Sequence, residues 1–244
     1  PHDTVAMKGN AAGIQVNVIA AGEYEKTPFT TVTMRGSEFS AAESWSNRFQ
    51  KAREVLSKNE SSITYLYIPE LDKYGHKNGW TSSGYATMME DLDVELRSFI
   101  SKLPKDSGVI VTADHGMVET TKEKQLVLDD YLEKSGHTQF YGGDTRVGFV
   151  YLDHLSSIDQ VVADLEPVSY AFDAVSTEAA IQAGWFGPVG KEARDRLPEL
   201  MLLAKGNYTL YHSRYFKARS FEMISHHGAL SPAETRIPLI RFGV

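Results

Sequence analysis

The 244 residues carry 25 Lys and Arg against 32 Asp and Glu, a net charge of −7, with 42% hydrophobic residues and no cysteine. This balance excludes disulfides and thiolate metal sites, and it argues against a nucleic-acid backbone as a general partner, because no basic tract is present to neutralise phosphates. Any metal must be held by His and carboxylate; no apolar run reaches membrane-spanning length, no signal peptide is visible, and a cytoplasmic location is expected.

In chain order, residues 4–12 predict a short helix stopped by Gly13, and 14–20 alternate as a strand. Residues 30–34 are β-branched and extended in character, with Arg35-Gly36 as a turn. Residues 40–57 place Trp45, Phe49, Ala52, Val55 and Leu56 at helical spacing. Residues 63–68 form the next strand, closed by Pro69, and Glu70 to His76 reads as a loop. A long helix over 83–103 follows, with Tyr85, Met88, Met89, Leu92, Leu96, Phe99 and Ile100 as its buried stripe and Pro104 at its end. Strand 109–113 then completes a βαβ unit, which predicts parallel neighbours. Beyond it, a short helix is predicted at 129–134, a strand at 146–152, a helix at 157–165, a strand at 168–172 and a helix at 177–183. Gly184-Trp185-Phe186-Gly187-Pro188 is a turn with exposed aromatics, and 200–204, 208–211 and 236–240 are further strands. No linker, repeat or low-complexity tract appears, so residues 1–244 read as one α/β domain.

Three stretches carry the chemistry. Val109, Ile110 and Val111 run into Asp114-His115-Gly116, an acid and an imidazole at a strand's carboxyl end, where open α/β sheets place their sites. Asp72 and His76 follow the preceding strand, and the βαβ geometry opens both strand ends on one sheet edge. His226-His227-Gly228 adds imidazole near the C-terminus. Each stretch alone reads more readily as a turn, a helix cap or a surface histidine. Together, two carboxylates and at least three imidazoles suit Zn²⁺, with Mn²⁺ or Fe as alternatives. The set is too large for one tetrahedral ion and slightly small for two, so it points to a binuclear site short of one or two ligands.

Asp72-Lys73-Tyr74-Gly75-His76, then Thr112-Ala113-Asp114-His115-Gly116-Met117, then His227-Gly228-Ala229-Leu230-Ser231-Pro232-Ala233-Glu234 with Ile237-Pro238-Leu239, resemble the metal-site motifs of the alkaline phosphatase superfamily. The type I phosphodiesterase/nucleotide pyrophosphatase branch is the nearest pattern. The resemblance implies an alkaline-phosphatase-like three-layer α/β sandwich with a mostly parallel sheet. It implies that Asp72, His76 and His227 hold one divalent ion, and Asp114 and His115 a second. His227 is preferred to His226 because it directly precedes the glycine; His226 is then a supporting or surface neighbour.

The family's N-terminal part, with an Asp ligand and a Thr or Ser nucleophile, has no counterpart here. Ser82, Ser83 and Thr112 do not replace it. The chain, which opens on Pro1 without an initiator Met, is expected to be the C-terminal portion of a domain whose N-terminal half packs against it. The implied reaction is metal-dependent hydrolysis of a phosphodiester or nucleotide pyrophosphate, through in-line attack by the upstream hydroxyl and a covalent phospho-enzyme. The isolated chain is then expected to have little turnover. Lys73 and Tyr74 could line the pocket for a small phosphorylated substrate or lie on the loop surface. The alternatives are a non-catalytic metal- or partner-binding fragment of the same scaffold, and a phosphomutase or sulfatase.

Overall fold

The computed structural model describes residues 2–58, 61–134, 136, 138–153 and 157–243. They divide into two units: one takes the chain up to Lys73, Ser83–Val111 and the segment from Leu239 on, the other Tyr74–Ser82 and Thr112–Pro238.

The first unit is built on a parallel sheet. Helix α1 (Val5–Ala11) is capped by Thr4, whose hydroxyl accepts from the Met7 amide at 3.1 Å. Strand β1 (Gln15–Ala20) is central, flanked by β2 (Glu38–Ala41) and β3 (Ser62–Leu66). Between β1 and β2 lies α2 (Pro28–Thr33). The β-branched run expected there as extended chain is helical, because Thr27 accepts from the Thr30 amide and Pro28 starts the helix with φ already set. Local capping overrides β propensity at this point.

Helix α3 (Trp45–Leu56) begins at a Ser44 cap rather than at residue 40; the preceding residues form β2 instead. Its Phe49 and Ala52 bury against Ile19 of β1 and Phe99, with Phe49 and Phe99 ring centroids 4.9 Å apart. Phe99 belongs to α5 (Ser83–Ile100). The apolar stripe predicted for this helix is fully buried only there, and Met89 is exposed. The segment read as a loop after β3 is helix α4 (Glu70–Asn78), with Glu70 and Asp72 in its first turn and His76 and Lys77 in its last, a charge order that favours the helix dipole.

Strand β4 (Val109–Thr112) pairs with the C-terminal strand Leu239–Phe242, while β3 pairs only with β1 among the described residues. The two strands joined by α5 are therefore not hydrogen-bonded neighbours, against the expectation from the βαβ pattern. An 18-residue crossover helix, roughly 27 Å long, does not specify which lane its strand returns to. Leu66 and Val109 nevertheless pack against the same Ile19–Phe49–Phe99 cluster, so both strands lie over α3 and α5 on one face.

The second unit contributes short pairs and one antiparallel sheet. β5 (Val118–Glu119) and β6 (Gln125–Val127) precede α6 (Asp129–Lys134). β7 (Thr138–Asp144) and β8 (Val147–Leu152) form a hairpin, and α7 (Ile158–Asp164) follows a Ser157 cap. The stretch read as a strand at 168–172 is mostly a 3₁₀ turn, Glu166–Ala171, set by Pro167; the strand β9 (Phe172–Ser176) begins where that reading ends. After α8 (Thr177–Gln182) come β10 (Leu200–Ala204), β11 (Thr209–Tyr211) and β12 (Ser225–His226). The sheet order is β7-β8-β10-β9, antiparallel throughout. Its core packs Leu128, Leu132, Tyr141, Val150, Val161, Leu200 and Leu202, each essentially without exposure. Trp185 and Phe186 are exposed, as the turn reading predicts. Among the described residues no helix is long and apolar enough to cross a membrane.

Candidate metal centre

The site is assembled from a helix and two loops. Asp72 and His76 sit four residues apart on α4, so one helical turn stacks their side chains on the same face. Asp72 belongs to the first unit's stretch and His76 to the second's, but the helix runs through both without a break.

The end of α4 is stitched to the segment leading into His227. The Ile224 amide donates to the His76 carbonyl at 2.8 Å, and the Trp80 amide to Ser225 Oγ at 3.1 Å. Thr81 donates to Glu119 through both its amide, at 2.9 Å, and its hydroxyl, at 2.8 Å. Glu119 lies on β5, which pairs antiparallel with β12 in the register Ser225↔Glu119 and His226↔Val118. His76 and His227 are thus brought together by backbone bonds, and their ring centroids lie 5.2 Å apart.

Asp72, His76 and His227 offer one ligand atom each, all within 4.8 Å of one another. The donor chemistry fits a cation. His76 Nδ1 lies 2.8 Å from the Ser225 carbonyl, which can only accept, so Nδ1 carries a proton and in the neutral ring Nε2 is the nitrogen that could ligate. The same logic holds for His115, whose Nδ1 lies 3.0 Å from the Gly116 carbonyl.

His226 is set apart by the opposite arrangement. Its Nε2 donates to the Met223 carbonyl at 3.2 Å, and its Nδ1 accepts from the Thr145 hydroxyl at 2.8 Å. Both nitrogens are engaged and the ring is fully buried, so the surface role considered for it does not apply. Burial pushes this imidazole down to about 4, helped by the neighbouring His76 and Arg146, so it is neutral near pH 7.

Asp114 and His115 follow β4. The His115 ring stacks on His227, with centroids 3.4 Å apart and 14° between planes. His115 Nε2 is 3.6 Å from Asp114 Oδ1, and the Asp114 side chain is 73% exposed. The structure therefore sets His115 against the histidine of the three-residue group, while Asp114 faces outward. Gly116 is required by contact: a Cβ there would stand 2.0 Å from the Ala233 carbonyl. Gly228, after His227, has φ of 127°, open to glycine and strained for other residues.

Lys73 and Tyr74 share α4 with Asp72 and His76. Lys73 Nζ donates to Glu23 at 2.5 Å and lies 5.3 Å from the Tyr24 ring, and the Glu23 hydrogen bond raises its pKa. Tyr74 is half-buried. Burial, with the Asp72 charge behind it, raises the phenol of Tyr85 on α5.

Sequence reading missed the residues that hold α4 in place. Arg48, buried on α3, donates to both Glu70 carboxylate oxygens, at 2.5 and 3.0 Å, and to the carbonyls of Ala42, Glu43 and Tyr67. An arginine at a helical position gives no local signal that it will be buried.

The fold and the His/Asp site define an α/β protein of the alkaline phosphatase superfamily. The structure matches murine ectonucleotide pyrophosphatase/phosphodiesterase 5, solved in an inactive form with AMP, with a TM-score of 0.73 at 20% identity, over 96% of this chain and 62% of that one. The sequence is 32% identical over 101 residues to ectonucleotide pyrophosphatase/phosphodiesterase family member 5 of Homo sapiens, covering 39% of this chain and 21% of that protein. It is 31% identical over 116 residues to phosphopentomutase of Thermotoga petrophila, covering 46% and 27%. The family model for type I phosphodiesterase/nucleotide pyrophosphatase matches residues 4–230, and the chain belongs to that family. The matches span less than two thirds of these relatives' lengths.

Proposed function

We propose that this chain is the metal-binding portion of a hydrolase acting on phosphodiesters or nucleotide pyrophosphates, and that residues 1–244 form part of one alkaline-phosphatase-like domain. The observation that supports this furthest is the convergence of Asp72, His76 and His227 within 4.8 Å. These three would hold one divalent ion, and Asp114 and His115 a second. The His115–His227 stack supports reading the two sets as adjacent. Two imidazoles and a carboxylate without thiolate favour zinc, with manganese or iron next. When bound, such a pair supplies Lewis-acid stabilisation of an in-line displacement at phosphorus.

The chain's own part in the reaction is ligation and orientation. The Ser225 carbonyl accepts from His76 Nδ1, so Nε2 would be the nitrogen that ligates. Ser82 donates its hydroxyl to the Gly79 carbonyl at 2.8 Å, and Thr112 points its hydroxyl toward the Ala113 carbonyl. Neither is set up for attack, which supports a nucleophile from the remaining part of the domain, together with the missing carboxylate. That part would pack on the first unit's divided sheet, where Ile63, Tyr65 and Ile110 are exposed. The substrate would be a small phosphorylated molecule, a nucleotide by analogy with the AMP-bound murine neighbour. Tyr74, and Lys73 on release from Glu23, would line its pocket.

The test is the full-length, zinc-loaded protein against aryl phosphodiester and monoester panels. Diester turnover is expected, and no turnover on either panel rejects the hydrolase. A phosphomutase is the second reading, favoured by the Thermotoga petrophila match, and sugar-phosphate isomerisation without net hydrolysis would select it. An Asp114→Ala variant that keeps full metal content rejects the second ligand pair.

A further inference from the structure

Glu234 makes contacts on two sides. Its carboxylate, 2% exposed, receives Arg146 Nε at 3.0 Å and Arg146 Nη2 at 2.8 Å, the Ala229 amide at 3.0 Å and the Ser231 hydroxyl at 2.5 Å. Its backbone carbonyl accepts from the Gly116 amide at 2.7 Å. Ala229 stands two residues after His227, and Gly116 one residue after His115. One residue thus binds the loop behind His227 through its side chain and the loop behind Asp114–His115 through its main chain. The fit there is close enough that Gly116 admits no Cβ.

Arg146, with no exposure, carries this arrangement back to the sheet. It lies in the β7–β8 hairpin, and its remaining fork donates to the Tyr208 carbonyl beside β11. A planar guanidinium bound through two nitrogens fixes the plane of the carboxylate as well as its position. Burial alone would push the Glu234 carboxyl up. The hydrogen bonds from Arg146 and Ser231, the Arg146 charge and the Ala229 amide together hold it below the ordinary range, so it stays ionised and acceptor-only.

We propose that Glu234 is a positioning residue that couples the His227 loop to the Asp114–His115 loop, with Arg146 anchoring both to the antiparallel sheet. Among the described residues, Glu234 accepts from Arg146, Ala229, Ser231 and Gly116, none of them a proposed ligand. Its contribution is to fix the separation of two ligand-bearing loops that are distant in sequence. A buried ion pair is a weak source of stability compared with apolar packing of the same volume. Its fixed geometry is what an apolar pair would not reproduce. This rests on the reading that both loops carry metal ligands.

The experiment measures amide hydrogen exchange of the metal-free chain and Co²⁺ binding of the same protein. In the wild-type chain, Gly116 and Ala229 are expected to exchange through one opening with a common denaturant dependence; separate openings overturn the proposal. Glu234→Gln is expected to accelerate exchange at both amides, although the acceptor for Gly116 is a main-chain carbonyl that the substitution leaves in place. It should also shift the Co²⁺ absorption bands and weaken Co²⁺ binding by about 10–100-fold, the usual effect of losing an outer support of a metal site. Faster exchange at Ala229 alone, with wild-type Co²⁺ spectrum and affinity, overturns it. If Glu234→Gln fails to fold, the double variant Arg146→Met/Glu234→Leu removes both charges while keeping buried volume, and the same readings apply. A wild-type chain that binds no Co²⁺ refutes the metal reading, while the metal-free exchange comparison still decides the coupling.

Discussion

The two units are finished to different degrees. In the second, the β7-β8-β10-β9 sheet closes over Val150, Leu200 and Leu202, with Leu128 just before α6, Leu132 from α6 and Val161 from α7. In the first, the buried cluster is Ile19, Phe49, Ala52 and Phe99, all on the side of the sheet that faces α3 and α5. On the other side, α1 approaches Val16 of β1, but the residues in register on β3, Ile63 beside Val16 and Tyr65 beside Val18, stay exposed. Ile110 of β4 is 61% exposed, and every residue of the Leu239–Phe242 strand is exposed. Strands of a parallel sheet are ordinarily covered on both faces. The second unit reads as self-sufficient and the first as a surface that still has apolar area to bury. Of the candidate metal ligands, His76, Asp114, His115 and His227 belong to the second unit and Asp72 to the first.

The largest effects should come from the second unit's buried charges. Arg146→Met alone leaves the Glu234 carboxylate buried without its partner and should cost about 3–5 kcal/mol in chemical denaturation. Leu202→Ala in β10 should cost about 2–5 kcal/mol by the same measurement, and a loss under 1 kcal/mol would contradict the closed core. Next comes a pH effect at His226. Its folded pKa is depressed to about 4, so stability is full above the ordinary histidine value near 6.5 and falls as pH drops from there toward 4, because the unfolded chain takes up the proton first. The fall should be on the order of 3 kcal/mol at most; His226→Gln should flatten the profile over that window, and an unchanged profile would show that the ring is not held neutral. The smallest effect belongs to the first unit's open face. Ile110→Thr or Ile63→Thr in the chain as it stands should shift stability by no more than about 0.5 kcal/mol. A larger loss at either would mean that this face is already covered, and the contrast between the units would fail.

The sequence announced several elements through local chemistry. Thr4, Ser44 and Ser157 cap helices where polar residues precede apolar spacing, and β1, β4, β8 and β10 lie within a residue or two of the predicted runs. The readings failed where local signals competed. Thr30 to Thr33 looked extended but followed a Thr-Pro helix start, and Val168 to Ala171 looked like a strand but followed Pro167. The segment Glu70 to His76 reads as a loop after the strand closed by Pro69, yet its charges suit a helix. That correction matters to the site, since a helix sets Asp72 and His76 one turn apart without further constraint.

The sequence by itself determined the donor chemistry: carboxylates and imidazoles without thiols, in three motifs whose order and residue types mark the family. Only the tertiary structure decided which of those donors meet. The motif separates His227 from His226 only by its place before the glycine, whereas in the fold hydrogen bonds occupy both nitrogens of His226. Asp72, His76 and His227 form one group because α4 and β12 are joined by bonds spanning about 150 positions, such as His76 to Ser225 at a separation of 149. The partners of Arg48, Arg146 and Glu234 were likewise invisible, since burial of a charge depends on what the rest of the chain brings to it. Residue type fixes what an atom can bind, whereas long-range packing fixes what stands within reach.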